Sequence, residues 1–158
     1  MPVTSLQDLY ETKLQLILDA EQQGLQNNPQ LIEQVQNEEL RRALQTHMEQ
    51  TQQQVQMLQP LVQGGQQMTC TSMQALLQEA QQMVSQIQDP DTRDAYVIAA
   101  AQAIEHHEIA AYGTARSWAQ QLGRDQDVQV LEQILGQEKQ TDELLSQLAE
   151  GRVNQMAA

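Results

Sequence analysis

Apolar side chains recur three and four residues apart along most of the chain, and this spacing predicts helices rather than strands. Gly and Pro are sparse and cluster where the pattern breaks. We predict five helices over about residues 5–26, 29–60, 71–88, 91–122 and 125–150, in the order long, long, short, long, long. The packing expected for this order is an all-α four-helix bundle of two helical hairpins joined by a short crossover helix.

Local signals indicate where the first two helices begin and end. Ser5 is expected to cap the first helix, and Asn28–Pro29 to restart the chain as the cap and first position of the second. Pro60 is expected to kink or end the second helix, and Gly64–Gly65 to break the pattern. A linker, "QQMTC", follows this break.

The later helices have signals of the same kind. Thr71 and Gln74 have the spacing of a capping box at the start of the third helix. Gly123 is expected to stop the fourth helix, and Gly151 lies just beyond the fifth. We expect a single domain over residues 1–158, with a frayed tail from about residue 152.

The segment "AIEHHEIAAYG", residues 103–113, places two carboxylates on the side of its helix that is expected to be buried. At about 100° per residue, Glu105 shares a face with Tyr112 and several aliphatic residues, and Glu108 lies about 60° to one side. A solvated helix places its carboxylates opposite its apolar residues. The two carboxylates of this segment are therefore expected to face the core.

The other three long helices also direct carboxylates or an imidazole toward the predicted core. These side chains are Glu21, His47, Glu138 and Asp142. By the same test, His106 and His107 point away from the Glu105 face, and we expect them at the surface or in lateral contacts. Each long helix thus contributes at least one side chain of a type that binds metal ions.

Several carboxylates in one core are costly, because a buried charge must be paired or coordinated and like charges raise one another's pKa. A pair of metal ions removes this cost, since carboxylates and imidazole suit iron and manganese, and bundle cores hold dinuclear sites with ligands from facing helices. The predicted ligands are Glu21, His47, Glu105, Glu108, Glu138 and Asp142. The alternative is a metal-free network of these groups with Tyr112, Thr141, Arg116 and water.

Charge and cysteine content exclude several classes of protein. The formal net charge is −13 and no basic patch is present, so nucleic acid and anionic membrane surfaces are not expected as partners. Cys70 is the one cysteine, which excludes an internal disulfide. The start, "MPVTSLQDLY", lacks the features of a signal peptide, and no stretch approaches the length of a membrane span. We expect a cytoplasmic protein.

Several segments of the chain resemble the YciF/YciE-type ferritin-like stress proteins. "RDAYVIAAAQAIEHHEIAAYGT" is similar to the family helix that carries Glu-His-Tyr-Glu-Ile-Ala, and further segments match in order over nearly the whole chain: "SLQDLY", "DAEQQ", "HMEQT", "MTCTSMQALLQEA" and "EKQTDELLSQLA". The resemblance implies a ferritin-like bundle, a dinuclear metal centre and an association with bacterial stress responses. It carries over the same six ligands: Glu21, His47, Glu105, Glu108, Glu138 and Asp142. Ferritin-like bundles commonly pair along a helix face, so we predict a homodimer.

The chain departs from the Glu-x-x-His pattern of ferritin-like oxidases. Leu44 precedes His47 by three residues, and Thr141 follows Glu138 by three, so at most one histidine is available. Gln50 stands where the family has a second Glu. These departures argue against a high-turnover oxidase and leave three functions open. The first is a dinuclear iron or manganese protein that reacts with oxygen or peroxide, the second a metal-binding stress protein without turnover, and the third a structural or interaction module with a metal-free carboxylate core.

Overall fold

Four long helices form a bundle, and a shorter helix crosses from one hairpin to the other. The computed structural model describes residues 2–64 and 67–158. The helices are α1 (Leu6–Glu33), α2 (Glu38–Leu58), α3 (Thr71–Gln86), α4 (Pro90–Gln121) and α5 (Asp125–Leu148). Helix α1 packs against α2 and α4, α5 packs against α2 and α4, and α3 lies on α1 and α4. The all-α fold and the order of helix lengths are confirmed, and no strand occurs within the described ranges.

The boundary between α1 and α2 differs from the prediction. Pro29 lies inside α1, which continues to Glu33, so its expected role as the first residue of the second helix is wrong. A proline inside a helix removes one hydrogen bond, but Leu31 and Ile32 beyond it are buried in the core and this burial outweighs the loss. Helix α2 begins instead after Asn37, whose side chain accepts the backbone N–H of Leu40.

The turn between α1 and α2 is held by Asp94, a buried carboxylate near the start of α4. Its Oδ1 accepts the backbone N–H of Gln36 at 2.9 Å, and its Oδ2 accepts that of Asn37 at 2.8 Å. One side chain therefore satisfies two backbone donors of the turn and ties the first hairpin to the second. No local sequence pattern predicts this contact.

The other predicted ends agree with the structure in part. Ser5 caps α1 by accepting the backbone N–H of Asp8 at 3.1 Å, as predicted. Pro60 lies in a short 3-10 turn directly after α2. Gly64 has a φ of +99°, a conformation that glycine adopts without strain. Gly65, the second half of the predicted break, lies outside the described residues.

The start of α3 and the end of the chain also differ from the prediction. The capping box is wrong, because Thr71 is already helical and the residue at the cap position is Cys70, whose side chain forms no capping hydrogen bond. Helix α4 ends at Gln121, and Gly123 beyond it has a φ of +70°, in agreement with its predicted role as the stop of this helix. Beyond α5, a π-helical turn (Ala149–Val153) and a short α6 (Asn154–Ala157) continue the helix where we expect fraying. Val153 is 3% exposed and packs in the core, which holds this segment in place.

The described residues form three apolar core clusters, and two of them lie at opposite ends of the bundle. One cluster includes Leu31, Leu40, Val97 and Leu145, and the other includes Tyr10, Leu58, Tyr112 and Leu131. Apart from Asp94 near the start of α4, the buried charged or amide residues of the four long helices lie between the residues of these two clusters. A polar layer therefore crosses the middle of the bundle. Within the described ranges, no helix is both long and apolar enough to cross a lipid bilayer.

Candidate metal centre

Five ionisable side chains from all four long helices meet in the polar layer. They are Glu21 of α1, His47 of α2, Glu105 and Glu108 of α4, and Glu138 of α5. All five are buried, as the helical periodicity predicts, and Glu138 is fully inaccessible to solvent. His47, Glu105, Glu108 and Glu138 each offer a ligand atom, and these four atoms all lie within 4.8 Å of one another.

Each member of the layer has one defined hydrogen-bond partner or more. The His47 Nε2 lies 2.7 Å from Glu105 Oε1. The Tyr112 hydroxyl donates to Glu21 Oε1 at 2.6 Å, in agreement with the predicted involvement of this tyrosine. Among the described residues, the second oxygen, Oε2, of each of four carboxyl groups has no hydrogen-bond partner: those of Glu21, Glu105, Glu108 and Glu138. Four buried and unpartnered carboxyl oxygens in one layer are unusual, because buried polar atoms are nearly always satisfied.

The layer strongly shifts the pKa values of its carboxyl groups. Burial raises the pKa of Glu21 from 4.5 to about 8, and the nearby charge of Glu138 adds to this shift. Burial is also the largest cause of the raised pKa values of Glu105 and Glu108. The neighbouring Glu138 and Glu21 raise both pKa values further. In the metal-free protein, the layer therefore favours the protonated form of the carboxyl groups of Glu21, Glu105 and Glu108.

Glu138 and His47 shift in the opposite direction. Burial acts to raise the pKa of Glu138, but hydrogen bonds with Glu105, Glu108 and Gln54 and the charge of His47 lower it below its ordinary value. Burial lowers the pKa of His47, and the charge of Glu138 only partly opposes this. The metal-free layer thus favours a neutral imidazole at His47 and an ionised carboxylate at Glu138.

A divalent metal ion fits this donor set. Ligand oxygens at about 2.1 Å from one small divalent ion lie at most about 4.2 Å apart, so atoms already within 4.8 Å need only small movements to bind it. A neutral imidazole is the form that binds metal, and the protonated carboxyl groups release their protons on binding. Imidazole with several carboxylates is a set that suits iron or manganese.

The structure places the remaining predicted residues around the layer. Asp142 lies one turn beyond Glu138, where its Oδ1 accepts a hydrogen bond from Gln102 at 3.2 Å and lies 3.2 Å from His106 Nε2. It does not belong to the group of four ligand atoms. His106 is largely exposed, as predicted, and Gln50 lies half-buried in a surface groove between α2 and α5 that also reaches His47.

Of the residues predicted for a metal-free network, Thr141 lies against the layer, whereas Arg116 is paired outside it. Thr141 contacts the layer, since its hydroxyl lies 3.4 Å from His47 Nδ1. Arg116 does not share a hydrogen bond or ion pair with the layer among the described residues, and its partner is Glu132 at 3.8 Å.

Gln54 is a further buried member of the layer and is not among the residues predicted from the sequence. This residue is 0% exposed, and its side-chain amide donates to Glu138 Oε1 at 2.6 Å. Gln54 follows His47 by seven residues and so lies on the same face of α2. Including amides in the search for inward-facing polar residues would have identified it.

Two small cavities lie against opposite sides of the layer. One, of about 30 Å³, is mainly apolar and reaches His47 and Glu105 from the end of the bundle that contains Leu31 and Val97. The other, of about 60 Å³, reaches Glu21 and Glu108. Both are large enough to hold a water-sized molecule beside a carboxylate of the layer.

Comparisons with known proteins agree with this architecture. The sequence model of a family described as "Domain of unknown function (DUF892)" matches residues 5–158. Protein YciF of Escherichia coli strain K12 is 33% identical over 99% of this chain and 98% of its own length. The crystal structure of the E. coli stress protein YciF superposes with a TM-score of 0.92 over 96% of this chain and 99% of that one.

Two further solved structures are similar. YcfI from Rhodopseudomonas palustris, proposed to be a structural protein, is 36% identical with a TM-score of 0.87, over 91% of this chain and 94% of that one. A protein from Xanthomonas campestris shares the fold at 21% identity, with a TM-score of 0.71 over 94% of this chain and 92% of that one.

Proposed function

The chain belongs to the DUF892 family, and we propose that it is a stress-associated metalloprotein that holds two iron or manganese ions in its polar layer. The association with stress rests on the likeness to the E. coli stress protein YciF. The proposal of metal rests on one observation above all. Four buried carboxyl groups of the layer each keep an oxygen without a hydrogen-bond partner in the described part of the chain.

The roles of the chain's own residues follow from their contacts. His47, Glu105, Glu108 and Glu138 would hold the first ion, and Glu21 extends the set toward a second. Asp142 stays a predicted ligand, which would exchange its present contacts with Gln102 and His106 on joining the set. Bound iron or manganese would supply redox chemistry toward dioxygen or peroxide.

The residues around the ligands orient them and exclude water. The Tyr112 hydroxyl fixes one oxygen of Glu21, and the Gln54 amide fixes one oxygen of Glu138, which leaves the other oxygen of each free to bind an ion. Such hydrogen bonds orient metal ligands and tune their basicity. The apolar clusters on both sides keep the layer dry, which strengthens each electrostatic contact.

Metal analysis tests the proposal directly. The protein is purified without chelator and its iron and manganese are measured, together with Glu105→Gln and with Glu49→Gln as a matched exposed control. We expect metal in the wild type and in Glu49→Gln, and a marked loss in Glu105→Gln, because that variant removes an anionic oxygen from the centre of the layer. Metal-free wild-type protein that also fails to take up Mn(II) or Fe(II) would overturn the proposal.

The second candidate is a structural module whose carboxyl layer holds no metal. The raised pKa of Glu21 favours it, because a protonated carboxyl group reduces the charge that the core must bury. The hydrogen bonds from Tyr112 to Glu21 and from Gln54 to Glu138 favour it as well, because they satisfy buried carboxyl oxygens without a metal ion. The same metal analysis separates the two candidates. A peroxide-consumption assay on metal-loaded protein then separates a reactive centre from a metal-binding protein without turnover.

Two broader predictions belong to the same proposal. We infer that the protein acts in the cytoplasm as a homodimer, without nucleic acid or membrane partners. Light scattering at high protein concentration tests the dimer, and a monomer at every concentration would contradict it.

A further inference from the structure

A cysteine, a serine and a histidine form a hydrogen-bonded chain beside the polar layer. Cys70 occupies the cap position of α3, and its Sγ lies 3.4 Å from Ser72 Oγ. Ser72 Oγ lies 2.7 Å from His107 Nε2 on α4. The backbone N–H of Cys70 donates to Asp19 of α1 at 2.7 Å, so three helices fix the position of this residue.

The chain of three residues forms one wall of the cavity of about 60 Å³. Across the cavity lie Glu21 and Glu108, which are 1% and 6% exposed and whose Oε2 atoms have no hydrogen-bond partner among the described residues. Ser72 is exposed, so the cavity meets the surface beside it. The cavity can therefore admit a small polar molecule that hydrogen-bonds to a buried carboxyl group while touching the thiol.

The surroundings of the thiol favour its ionised form. Burial acts to raise the pKa of Cys70, but hydrogen bonds with His107, Ser72 and the backbone of Met73 lower it to about 7. The start of a helix also stabilises a thiolate. Besides Cys70, the ionisable groups that line this cavity or contact its walls are Lys13, Asp19, Glu21, His107, Glu108 and Tyr112.

We propose that the cavity binds hydrogen peroxide and that Cys70 reduces it. The Cys70 sulfur attacks one peroxide oxygen, so an S–O bond forms and the O–O bond breaks. The sulfur is oxidised by two electrons to a sulfenic acid, and the peroxide is reduced. The departing hydroxide takes up the proton that the thiol released, so the products are the sulfenic acid and water. This reaction requires no metal and is independent of the function proposed above.

Sulfenic acid trapping tests the proposal. The full-length protein is treated with hydrogen peroxide and dimedone in the presence of a chelator, and the adduct on Cys70 is quantified by mass spectrometry. At pH 7, lowering a thiol pKa from about 8.5 to about 7 raises the thiolate fraction about 15-fold, and the weaker intrinsic nucleophilicity reduces the gain in rate to about threefold. We expect the folded protein to form the adduct at least about threefold faster than the urea-unfolded chain.

Two variants separate the cavity from the thiol itself. Ala111 lines the cavity, whereas the neighbouring Ala110 is exposed and does not. Ala111→Leu is expected to slow formation of the adduct, and Ala110→Leu to leave it unchanged. Ser72→Ala, which removes a hydrogen bond to the thiol, is expected to raise the pKa measured from the pH dependence of iodoacetamide alkylation.

Either of two results would overturn the proposal. One is an adduct rate in the folded protein no higher than in the unfolded chain. The other is an equal rate in Ala111→Leu and Ala110→Leu, which would show that peroxide does not reach Cys70 through this cavity.

Discussion

The melting temperature of this protein should depend on pH with opposite signs in the absence and presence of metal. Lowering the pH from 8 to 6.5 is expected to stabilise the metal-free protein. The pKa of Glu21 is raised to about 8, and those of Glu105 and Glu108 are raised as well, so the folded chain binds protons over this range that the unfolded chain does not. A raised carboxyl pKa contributes stability at low pH that is lost as the pH rises through the folded value.

Two other groups of the layer limit the pH range. The pKa of His47 is lowered, so its contribution is present at higher pH and is lost as the pH falls below its unfolded value of about 6.5. The pKa of Glu138 lies below its ordinary 4.5, so this residue changes its protonation only outside the range. The stabilisation of the metal-free protein is therefore expected between pH 8 and about pH 6.5.

The magnitude follows from the number of protons. Each proton that only the folded state binds contributes about 1.4 kcal/mol per pH unit. For a chain of 150–250 residues, about 1 kcal/mol corresponds to about 2–4 °C in Tm. One such proton thus raises the Tm of the metal-free protein by roughly 3–6 °C for each pH unit that the pH is lowered.

Saturation with Mn(II) is expected to reverse this dependence. The ion binds deprotonated carboxylates and neutral imidazole, so protons compete with it and its stabilising effect decreases as the pH falls. At a free concentration of 100 times Kd, metal bound only to the folded state contributes about 2.7 kcal/mol. Calorimetric melting between pH 6.5 and 8, with EDTA or with Mn(II), measures both slopes. If Tm changes with pH by the same sign and size with EDTA and with Mn(II), the placement of the ion among these carboxyl groups is refuted.

Three further substitutions test individual contacts. Gln50→Glu is expected to tighten Mn(II) binding in a calorimetric titration, because it adds an anionic oxygen beside the layer; an unchanged Kd would show that Gln50 contacts only solvent. Gln54→Leu should lower the free energy of unfolding in urea by about 2 kcal/mol, since it removes the amide donor from a buried carboxylate. Asp94→Ala should lower it by about 3 kcal/mol, because two backbone N–H groups lose their acceptor, whereas the exposed control Glu79→Ala should change it by less than about 0.5 kcal/mol.

The buried face of each long helix could be predicted from the sequence, because it depends on the local periodicity of apolar residues. Glu105 and Glu108 lie among apolar residues spaced for one face of a helix, and both are buried in the structure. The same spacing correctly identified Glu21, His47 and Glu138 as buried. The periodicity of a long helix is repeated over many residues, so small errors at its ends do not change the direction of residues near its middle.

Other features depend on contacts that no local pattern contains. Pro29 has the same local signal whether it begins a helix or lies inside one, and the burial of the residues beyond it decides between the two. Asp94 near the start of a helix is indistinguishable in sequence from an ordinary residue that complements the helix dipole. Its partners Gln36 and Asn37 are 58 and 57 residues away. The hydrogen bond between Ser72 and His107 likewise joins two helices across 35 residues.

The polar layer between two apolar clusters also limits how the four helices can align. A slide of one helix by a single turn, about 5.4 Å along its axis, would carry its carboxyl group into an apolar cluster and an aliphatic side chain into the layer. Because a buried carboxyl group without partners is costly, every such misalignment is penalised on whichever helix moves. The polar residues thus select one axial register for each helix. They disfavour bundles in which a helix is shifted along its axis, which a uniformly apolar core would tolerate.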